Sequence, residues 1–400
     1  MKRYDLLLIA RPDHSYKIYQ GLEQSTIKFR YFSFKLFPDW FRYLVKCKKM
    51  RLVKKNASIC SVLSVIAVLK HNLRIKHFQK MSEYDIFEKY ISRKLKCYNG
   101  RIIHYWPCFS YKAVKSYKET HKDVVTIAEV YFPCHQYVLD EVGPLLNKMG
   151  YGNNLNYIYR ESKMYEETMK FEDNFIVPSE YVADTYRRYF PNKKYIVIPY
   201  GIFKSPSYRK KHKISEDHQF TFIYVGKVSI EKGCDVLMKY FRHHTEYKLV
   251  VCGNILESEK DYFEKYQDSS NISFKGSVPN SEVPLIASKC DIGIHLSRFD
   301  AYSLAVGELI GSGLPVIVSN KTGNCSDVIK YKWGNVTELD EVSVDNAVKK
   351  MTNADVYNSF LDSIDQYFKE NHPTYSQKIV SLYKTILRDG TVYEENRKSL

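Results

Sequence analysis

Two carboxylic acids with seven residues between them, Asp300 and Glu308, are the first candidates for chemistry in this chain. They lie in the stretch DIGIHLSRFDAYSLAVGELIGSGLPVIVS, which covers residues 291–319. A carboxylate accepts the hydrogen bonds that sugar hydroxyl groups donate, so such a pair can hold a sugar. A surface helix would show the same spacing, and the two acids alone do not separate these interpretations.

Two lysines upstream of the acids could hold phosphate groups. In the segment FTFIYVGKVSIEKG, Lys227 follows Gly226 at the end of a predicted strand, and Lys232 and Gly233 precede a predicted helix. Cations at the end of a strand and the start of a helix can hold a diphosphate. The alternative is a pair of solvated lysines without a ligand.

The sequence around the acids predicts a strand, a helix and a second strand. Residues 291–296 and 314–319 have the pattern of buried strands. Ser303 is suited to cap the helix between them, and Gly313 is expected to end it. Parallel sheets bind ligands at the carboxyl ends of their strands, and a helix N-terminus favours a phosphate. The amides near Ser303 and Leu304 are therefore expected to face the same ligand as the acids.

Together these motifs resemble those of the retaining family-4 glycosyltransferases of GT-B fold. The shared pattern is an acid, seven residues and Glu, then the segment GSGLPVIVS, with a Gly-Arg-x4-Lys-Gly motif upstream. Asp300 stands here in place of the usual Glu, and Lys227 in place of the common Arg. The resemblance implies an α/β protein with two Rossmann-like domains facing each other across a cleft. It also implies a C-terminal helix that crosses back to the first domain.

The expected domains are an N-terminal acceptor-binding domain over residues 1–203 and a nucleotide-sugar-binding domain over residues 204–375. Residues 376–400 are expected to form the returning helix and a tail. The polar, basic segment at residues 203–219 is typical of a linker between domains.

The resemblance implies roles for the donor-side residues. Lys227 and Lys232, with Gly226, would hold the diphosphate. Glu308 would hold the ribose, and Asp300 would orient the transferred sugar.

Three further residues receive roles by resemblance only. Gly253 and Val278, which follow the next two predicted strands, would help to hold the nucleotide base. His135 lies in the loop YFPCHQY after a predicted strand and would contact the donor sugar or the acceptor. A surface loop histidine is the alternative, and Glu129 and His104 are further candidates.

Residues 34–55 (FKLFPDWFRYLVKCKKMRLVKK) mix aromatic and cationic side chains. This composition predicts an amphipathic helix that either lies on anionic lipid or packs on the core with a basic outer face. The surrounding strands alternate with helices, which predicts a parallel sheet.

The net charge of +16 is concentrated at the N-terminus, where residues 1–100 hold 22 Lys and Arg against 7 Asp and Glu. This basic region indicates an anionic partner, such as a membrane surface or an acidic acceptor, unless it is only a solvated surface. No nucleic-acid-binding module is recognisable, so we expect no nucleic acid as a partner. Nine cysteines without paired spacing fit a reducing cytosol, and no apolar run reaches the ~20 residues of a membrane span. The expected location is cytoplasmic, with peripheral attachment to the membrane as a further option.

Taken with the residues that carry it, the resemblance implies a retaining glycosyltransferase. Its donor would be a UDP- or GDP-sugar, and its acceptor a hydroxyl of a glycan or lipid-linked glycan in surface polysaccharide or lipopolysaccharide biosynthesis. No Asp-x-Asp motif is placed in the site, so we expect metal independence and no cofactor beyond the donor. The alternatives are a sugar-nucleotide epimerase on the same fold, or a non-catalytic, basic, membrane-binding protein that retains the scaffold.

Overall fold

The computed structural model describes residues 4–10, 15–33, 36–38, 51–53, 56–59, 83–206, 208 and 213–392. In the first half, strands alternate with helices. The strands are β1 Leu6–Ile9, β2 Phe29–Ser33, β3 Leu36–Pro38, β4 Arg51–Val53, β5 Ala57–Ile59, β6 Ile102–Tyr105, β7 Val125–Glu129, β8 Asn174–Val177 and β9 Lys194–Val197. The helices are α1 Ser15–Glu23, α2 Glu83–Leu95, α3 Pro107–Thr120, α4 His135–Lys148, α5 Asn156–Phe171 and α6 Glu180–Arg187, with a 3-10 helix at Gly152–Leu155.

Seven of these strands form one parallel sheet in the order β5-β2-β1-β6-β7-β8-β9, and β3 pairs with β4 separately. The strands β1 and β6 read LLLI and IIHY, and every residue in them is buried. Strands that are buried along their whole length are typical of a parallel sheet covered by helices on both faces. In such a sheet the carboxyl ends of the strands meet at one edge.

The second half repeats this architecture. Its strands are β10 Thr221–Val225, β11 Lys248–Cys252, β12 Ile272–Gly276, β13 Ile292–His295, β14 Val316–Ser319 and β15 Gly334–Thr337. They form a parallel sheet in the order β12-β11-β10-β13-β14-β15. The helices are α7 Cys234–His243, α8 Lys260–Phe263, α9 Val283–Ala287, α10 Leu304–Gly311, α11 Cys325–Lys330, α12 Glu341–Met351 and α13 Ala354–Tyr367, with 3-10 helices at Glu257–Glu259 and Glu264–Tyr266.

The last helix, α14 Tyr375–Asp389, returns to the first sheet, as the sequence predicts. The hydroxyl of Tyr383 lies 2.5 Å from Nδ1 of His104, and the hydroxyl of Tyr375 donates to Oε1 of Glu129 at 2.5 Å. The helix begins with a capping box, in which Thr374 and Gln377 each satisfy a backbone amide of the other. The architecture is therefore the GT-B fold that the motifs imply.

The two halves also contact each other directly. Ser179 Oγ donates to the carbonyl of Ala301 at 2.8 Å. Asn154 Nδ2 donates to Oε1 of Glu259 at 2.7 Å. A Cβ added to Gly323 would lie 1.8 Å from the Ala301 carbonyl oxygen, so only glycine permits this close approach.

The amphipathic helix expected over residues 34–55 is wrong at its two described ends, because Leu36–Pro38 and Arg51–Val53 are strands. These two short segments pair in parallel, so backbone groups on their facing edges bond to each other. Residues 39–50, with the aromatic and cationic cluster, lie outside the described residues. Among the helices that are described, none is both long and apolar enough to cross a membrane.

Candidate active site

A cavity of about 750 Å³ lies between the two halves, at the carboxyl ends of strands from both sheets. The first half contributes mainly aromatic side chains, and the second half contributes a cation, two acids and the start of helix α10. The lining residues are Lys17, Trp106, Tyr131, Phe132, Tyr200, Gly201, Ile202, Phe203, Lys232, Phe299, Asp300, Ala301, Tyr302, Ser303, Leu304, Gly307 and Glu308.

Lys232 and Asp300 form an ion pair on the wall of this cavity. Lys232 Nζ lies 2.7 Å from Oδ2 of Asp300, and His295 Nε2 lies 3.3 Å from the same oxygen. Burial on its own would raise the pKa of Asp300, but the charge of Lys232 and the hydrogen bond from His295 hold it well below its usual range. Asp300 is therefore a carboxylate at any working pH and accepts hydrogen bonds only.

The backbone around Asp300 is fixed from the neighbouring strand end. Its amide donates to the carbonyl of Lys321 at 3.0 Å, and its carbonyl accepts from the amide of Gly323 at 2.8 Å. These bonds hold the acidic loop against the loop after β14, so the carboxylate keeps its direction into the cavity.

The loop that carries Lys232 is held by glycine geometry and by an arginine. Gly233 has a φ of 67°, and a Cβ there would lie 1.7 Å from the carbonyl oxygen of Leu296. Arg298 makes two parallel hydrogen bonds to Asp235, at 2.6 and 2.8 Å, and a third to the carbonyl of Ile230. A bidentate guanidinium pair fixes orientation as well as distance. The lysine ammonium group is therefore presented from a rigid base.

Glu308 lies on helix α10 and faces the cavity half-buried. Burial raises the pKa of its carboxyl group above the ordinary value. No hydrogen bond or ion pair from any of the described residues engages this carboxylate. It is therefore available to hydroxyl donors of a ligand.

The N-terminus of α10 opens beside these acids. Ser303 caps it, since its Oγ accepts from the amide of Val306 at 3.4 Å, as predicted. Leu304, the first helical residue, is 53% exposed within the cavity wall. The helix ends at Gly311, and Gly313, with a φ of 93°, makes the turn into β14 as predicted.

The other residues that the sequence assigned to nucleotide binding follow β10, β11 and β12 and are not part of the cavity lining. Gly226 follows β10 with a φ of 146°, and a Cβ on Gly253 would lie 1.7 Å from the Gly226 carbonyl oxygen. Lys227 is exposed, and Val278 packs partly buried against the core of this half. The structure thus brings Lys232, Asp300, Ser303, Leu304 and Glu308 together. The roles expected for Gly226, Lys227, Gly253 and Val278 stay predictions.

His135 is not a loop residue, which corrects the sequence interpretation. It is the first residue of α4 and only 3% exposed, because its ring stacks on Tyr165 at 4.4 Å and packs against Phe132 at 5.0 Å. A helix beginning in YFPCHQY buries the ring behind the cavity wall. Its contact with a sugar stays a prediction, and Phe132 occupies the cavity surface in front of it.

Sequence reasoning missed the aromatic wall from the first half. Trp106 follows β6, and its ring packs at 4.9 Å on Tyr131, which follows β7. The indole Nε1 donates to Oε2 of buried Glu129 at 2.9 Å, and Phe132 meets Phe299 of the second half at 5.6 Å. The available signal was that WPCFS and YFPCHQY both follow buried strands, whose ends meet at one sheet edge. His295, at the end of β13, carried the same signal and was also missed.

The second half matches a known family. Residues 205–354 match the family model described as glycosyl transferases group 1. An uncharacterized 41.2 kDa protein in the cps region of Klebsiella pneumoniae is 24% identical over 154 residues. That match spans 38% of this chain and only 38% of the relative's length.

Solved structures share the whole fold at low identity. Sucrose-phosphate synthase from Thermosynechococcus elongatus has a TM-score of 0.64 at 13% identity, covering 96% of this chain and 99% of that one. The lipopolysaccharide outer core galactosyltransferase WaaB, in its apo form, has a TM-score of 0.61 at 13% identity, covering 95% and 99%. Anabaena HepE in complex with UDP has a TM-score of 0.55 at 12% identity, covering 95% and 100%. These similarities establish the GT-B fold for this chain.

Proposed function

We propose that this chain, a GT-B protein whose residues 205–354 match glycosyl transferases group 1, is a retaining glycosyltransferase that uses a nucleotide-diphosphate sugar. The observation that carries the proposal is the convergence of Lys232, Asp300 and Glu308 on one cavity between the two sheets. A cation, two acids and a helix N-terminus match the parts of a sugar nucleotide.

Each of these groups has a part of the donor to hold. Glu308 accepts hydrogen bonds from the ribose hydroxyls. The ammonium group of Lys232 and the amides at the start of α10 stabilise the charge that develops on the diphosphate. Asp300, already ionised, accepts from a hydroxyl of the transferred sugar. Lys227, Gly226, Gly253 and Val278 are proposed to complete the diphosphate and base site.

Donor binding requires Lys232 to interact with the diphosphate as well as with Asp300. In the structure its ammonium group is paired with Asp300 at 2.7 Å. A diphosphate brings more negative charge than one carboxylate, so Lys232 turns toward it. His295 stays on Asp300 and keeps that carboxylate ionised and oriented.

Transfer proceeds on one face of the sugar. The bond between the anomeric carbon and the diphosphate oxygen breaks, and its electron pair leaves with the nucleoside diphosphate. The acceptor hydroxyl oxygen bonds to the same carbon from the same face, and its proton passes to an oxygen of the departing diphosphate. We propose that this step requires no metal ion.

The acceptor is proposed to be a surface polysaccharide or lipopolysaccharide precursor. A relative encoded in a cps region and the fold of the galactosyltransferase WaaB both support this class of acceptor. The aromatic wall of Trp106, Tyr131 and Phe132 offers apolar surface to the faces of sugar rings.

The basic N-terminal quarter is proposed to bring the enzyme to an anionic membrane surface, where lipid-linked acceptors lie. The cationic cluster at residues 46–51 carries this proposal from the sequence alone. Flotation with anionic liposomes should weaken when Lys48, Lys49 and Arg51 are neutralised. Equal flotation of the variant would reject membrane binding by this segment.

The activity test is release of nucleoside diphosphate from a panel of UDP- and GDP-sugars with glycan acceptors, with products identified by mass spectrometry. Glu308→Gln should lower kcat/KM by about 10- to 100-fold, since hydrogen bonds to a charged group contribute about 1.5–3 kcal/mol. The matched control is Glu338→Gln, an exposed position in the same half, which should leave kcat/KM unchanged. Interconversion of nucleotide sugars, or free UDP without a transfer product, would instead indicate an epimerase.

A further inference from the structure

A second cavity of about 750 Å³ lies between α1 and α14, beside the cleft, and is called here the α1/α14 groove. It exists because the C-terminal helix returns to the first half. At its floor the helices nearly touch, since a Cβ on Gly21 would lie 2.9 Å from Cβ of Ser376. The residues that line the groove are Lys17, Gln20, Gly21, Gln24, Ser25, Phe203, Thr374, Tyr375, Ser376, Gln377, Val380, Ser381 and Lys384.

The groove is continuous with the cleft. Lys17 and Phe203 line both cavities, so they mark the junction. The ammonium group of Lys17 lies 4.3 Å from the centroid of the Phe203 ring, and that ring is 52% exposed. A chain-like ligand whose end lies in the cleft can therefore continue into the groove past Phe203.

The lining of the groove has the chemistry of a saccharide site. It offers three side-chain amides and, apart from Tyr375 whose hydroxyl donates to buried Glu129, four hydroxyl groups of the kind that exchange hydrogen bonds with sugar hydroxyls. Its charged side chains are Lys17 and Lys384, and the described residues of the lining include no carboxylate. The positive charge of these two side chains favours a ligand that carries negative charge.

We propose that the α1/α14 groove binds the part of the acceptor that trails behind the reacting sugar, and that this part is an acidic saccharide chain whose carboxylates pair with Lys17 and Lys384. This inference rests on the proposed function for the identity of the cleft. It adds an acceptor subsite and a charge requirement that the donor-side motifs do not contain.

The test compares two matched probes on the full chain by calorimetry: tetragalacturonate and its carboxyl-reduced, neutral form. At low ionic strength we expect the acidic probe to bind about tenfold more tightly, and we expect added salt to reduce the difference because these lysines are solvent-accessible. Lys384→Glu should abolish the preference, and Lys17→Gln should weaken it. The control Lys378→Gln removes a charge from α14 outside the groove and should leave the preference intact.

The outcomes separate the subsite from the proposed function. Absence of binding by tetragalacturonate, equal affinity for both probes, or an unchanged preference in Lys384→Glu would overturn the subsite. UDP and GDP binding to the unaltered chain is measured in parallel. If a nucleotide binds while the acidic probe does not, only the subsite fails, and if neither nucleotide binds, the proposed function fails.

Discussion

At the scale of single residues, the two acids of the site have opposite environments. Asp300 has a depressed pKa because Lys232 and His295 outweigh its burial, whereas burial without a partner raises the pKa of Glu308. Two carboxyl groups whose pKa values are pushed apart have different tasks. Asp300 is a fixed hydrogen-bond acceptor, and Glu308 is a carboxyl group without a hydrogen-bond partner in the described part of the chain, where the proposed function places the ribose hydroxyls.

The raised pKa of Glu308 predicts a pH dependence of nucleotide affinity. Ribose hydroxyls donate to the ionised carboxylate, so affinity should fall as pH is lowered through the raised pKa. Calorimetric titration with UDP and GDP across weakly acidic pH would measure this fall. In Glu308→Gln, affinity should be weak and should no longer show this fall. A fall of equal size in the variant would assign it to another group.

The raised pKa of Glu308 also affects the stability of the fold. Its effect has the opposite sign to that of a carboxyl group whose pKa is lowered on folding. The folded state binds the Glu308 proton more tightly than the unfolded chain does, so stability declines as pH rises from the unfolded pKa to the folded pKa. At neutral pH the ionised group therefore costs stability. We expect Glu308→Gln to melt at the same or a higher temperature than the parent chain at pH 7.5, and a clearly lower Tm would contradict this account.

At the scale of elements, α14 is anchored by a buried polar network. Glu129 is 1% exposed and receives hydrogen bonds from Tyr375 and Trp106, while His104 lies between it and Tyr383. Burial alone would raise the pKa of Glu129, but His104 and these donors lower it. The network connects the returning helix to Trp106 on the cavity wall.

Tyr375→Phe tests this anchor. Removing the hydroxyl leaves a buried carboxylate with one donor fewer, so the free energy of unfolding should fall by about 1–3 kcal/mol in urea titrations at pH 7. Because the folded pKa of Glu129 is depressed, its stabilising contribution is present above the unfolded pKa and is lost as pH falls through the folded pKa. The effect of the substitution should therefore shrink in acid.

The control Tyr357→Phe removes a hydroxyl that donates only to a backbone carbonyl at 3.3 Å and should cost less. Equal losses for both variants would argue against the network.

At the scale of the whole molecule, one contact between the halves is linked to the proposed donor site. Asn154 donates to Oε1 of buried Glu259, and Oε2 of the same carboxylate accepts from the amide of Ile230, two residues before Lys232. Through Glu259, the contact between the halves is therefore connected to the loop that carries Lys232.

Asn154→Ala should loosen this closure. We expect a larger radius of gyration in X-ray scattering without nucleotide and a kcat/KM lowered by several-fold, since the cavity needs both walls. Tyr151→Phe removes an exposed contact to Asp261 nearby and serves as the control, with a smaller change in both quantities. An unchanged radius of gyration and activity in Asn154→Ala would show that this contact does not hold the two halves closed.

The sequence predicted the second half in more detail than the first for a physical reason. The strand, the Ser303 cap, helix α10 and the turn at Gly313 depend on neighbours within about thirty residues, so local patterns specify them. The aromatic wall arises only when residues far apart, such as Trp106 and Phe299, meet across the cleft. The predicted helix at residues 34–55 is wrong at its described ends, because aromatic and cationic composition does not fix where a helix begins and ends. His135 was assigned to a loop because no helix start was recognised there.

In the proposed function, one cavity between the sheets binds a nucleoside diphosphate through Lys232 and Glu308. A crystal structure of the full chain with UDP or GDP tests it most directly. We predict the ribose hydroxyls on the Glu308 carboxylate and the diphosphate at Lys232 and the start of α10. A nucleotide bound elsewhere, with Lys232 still paired to Asp300, would contradict the account.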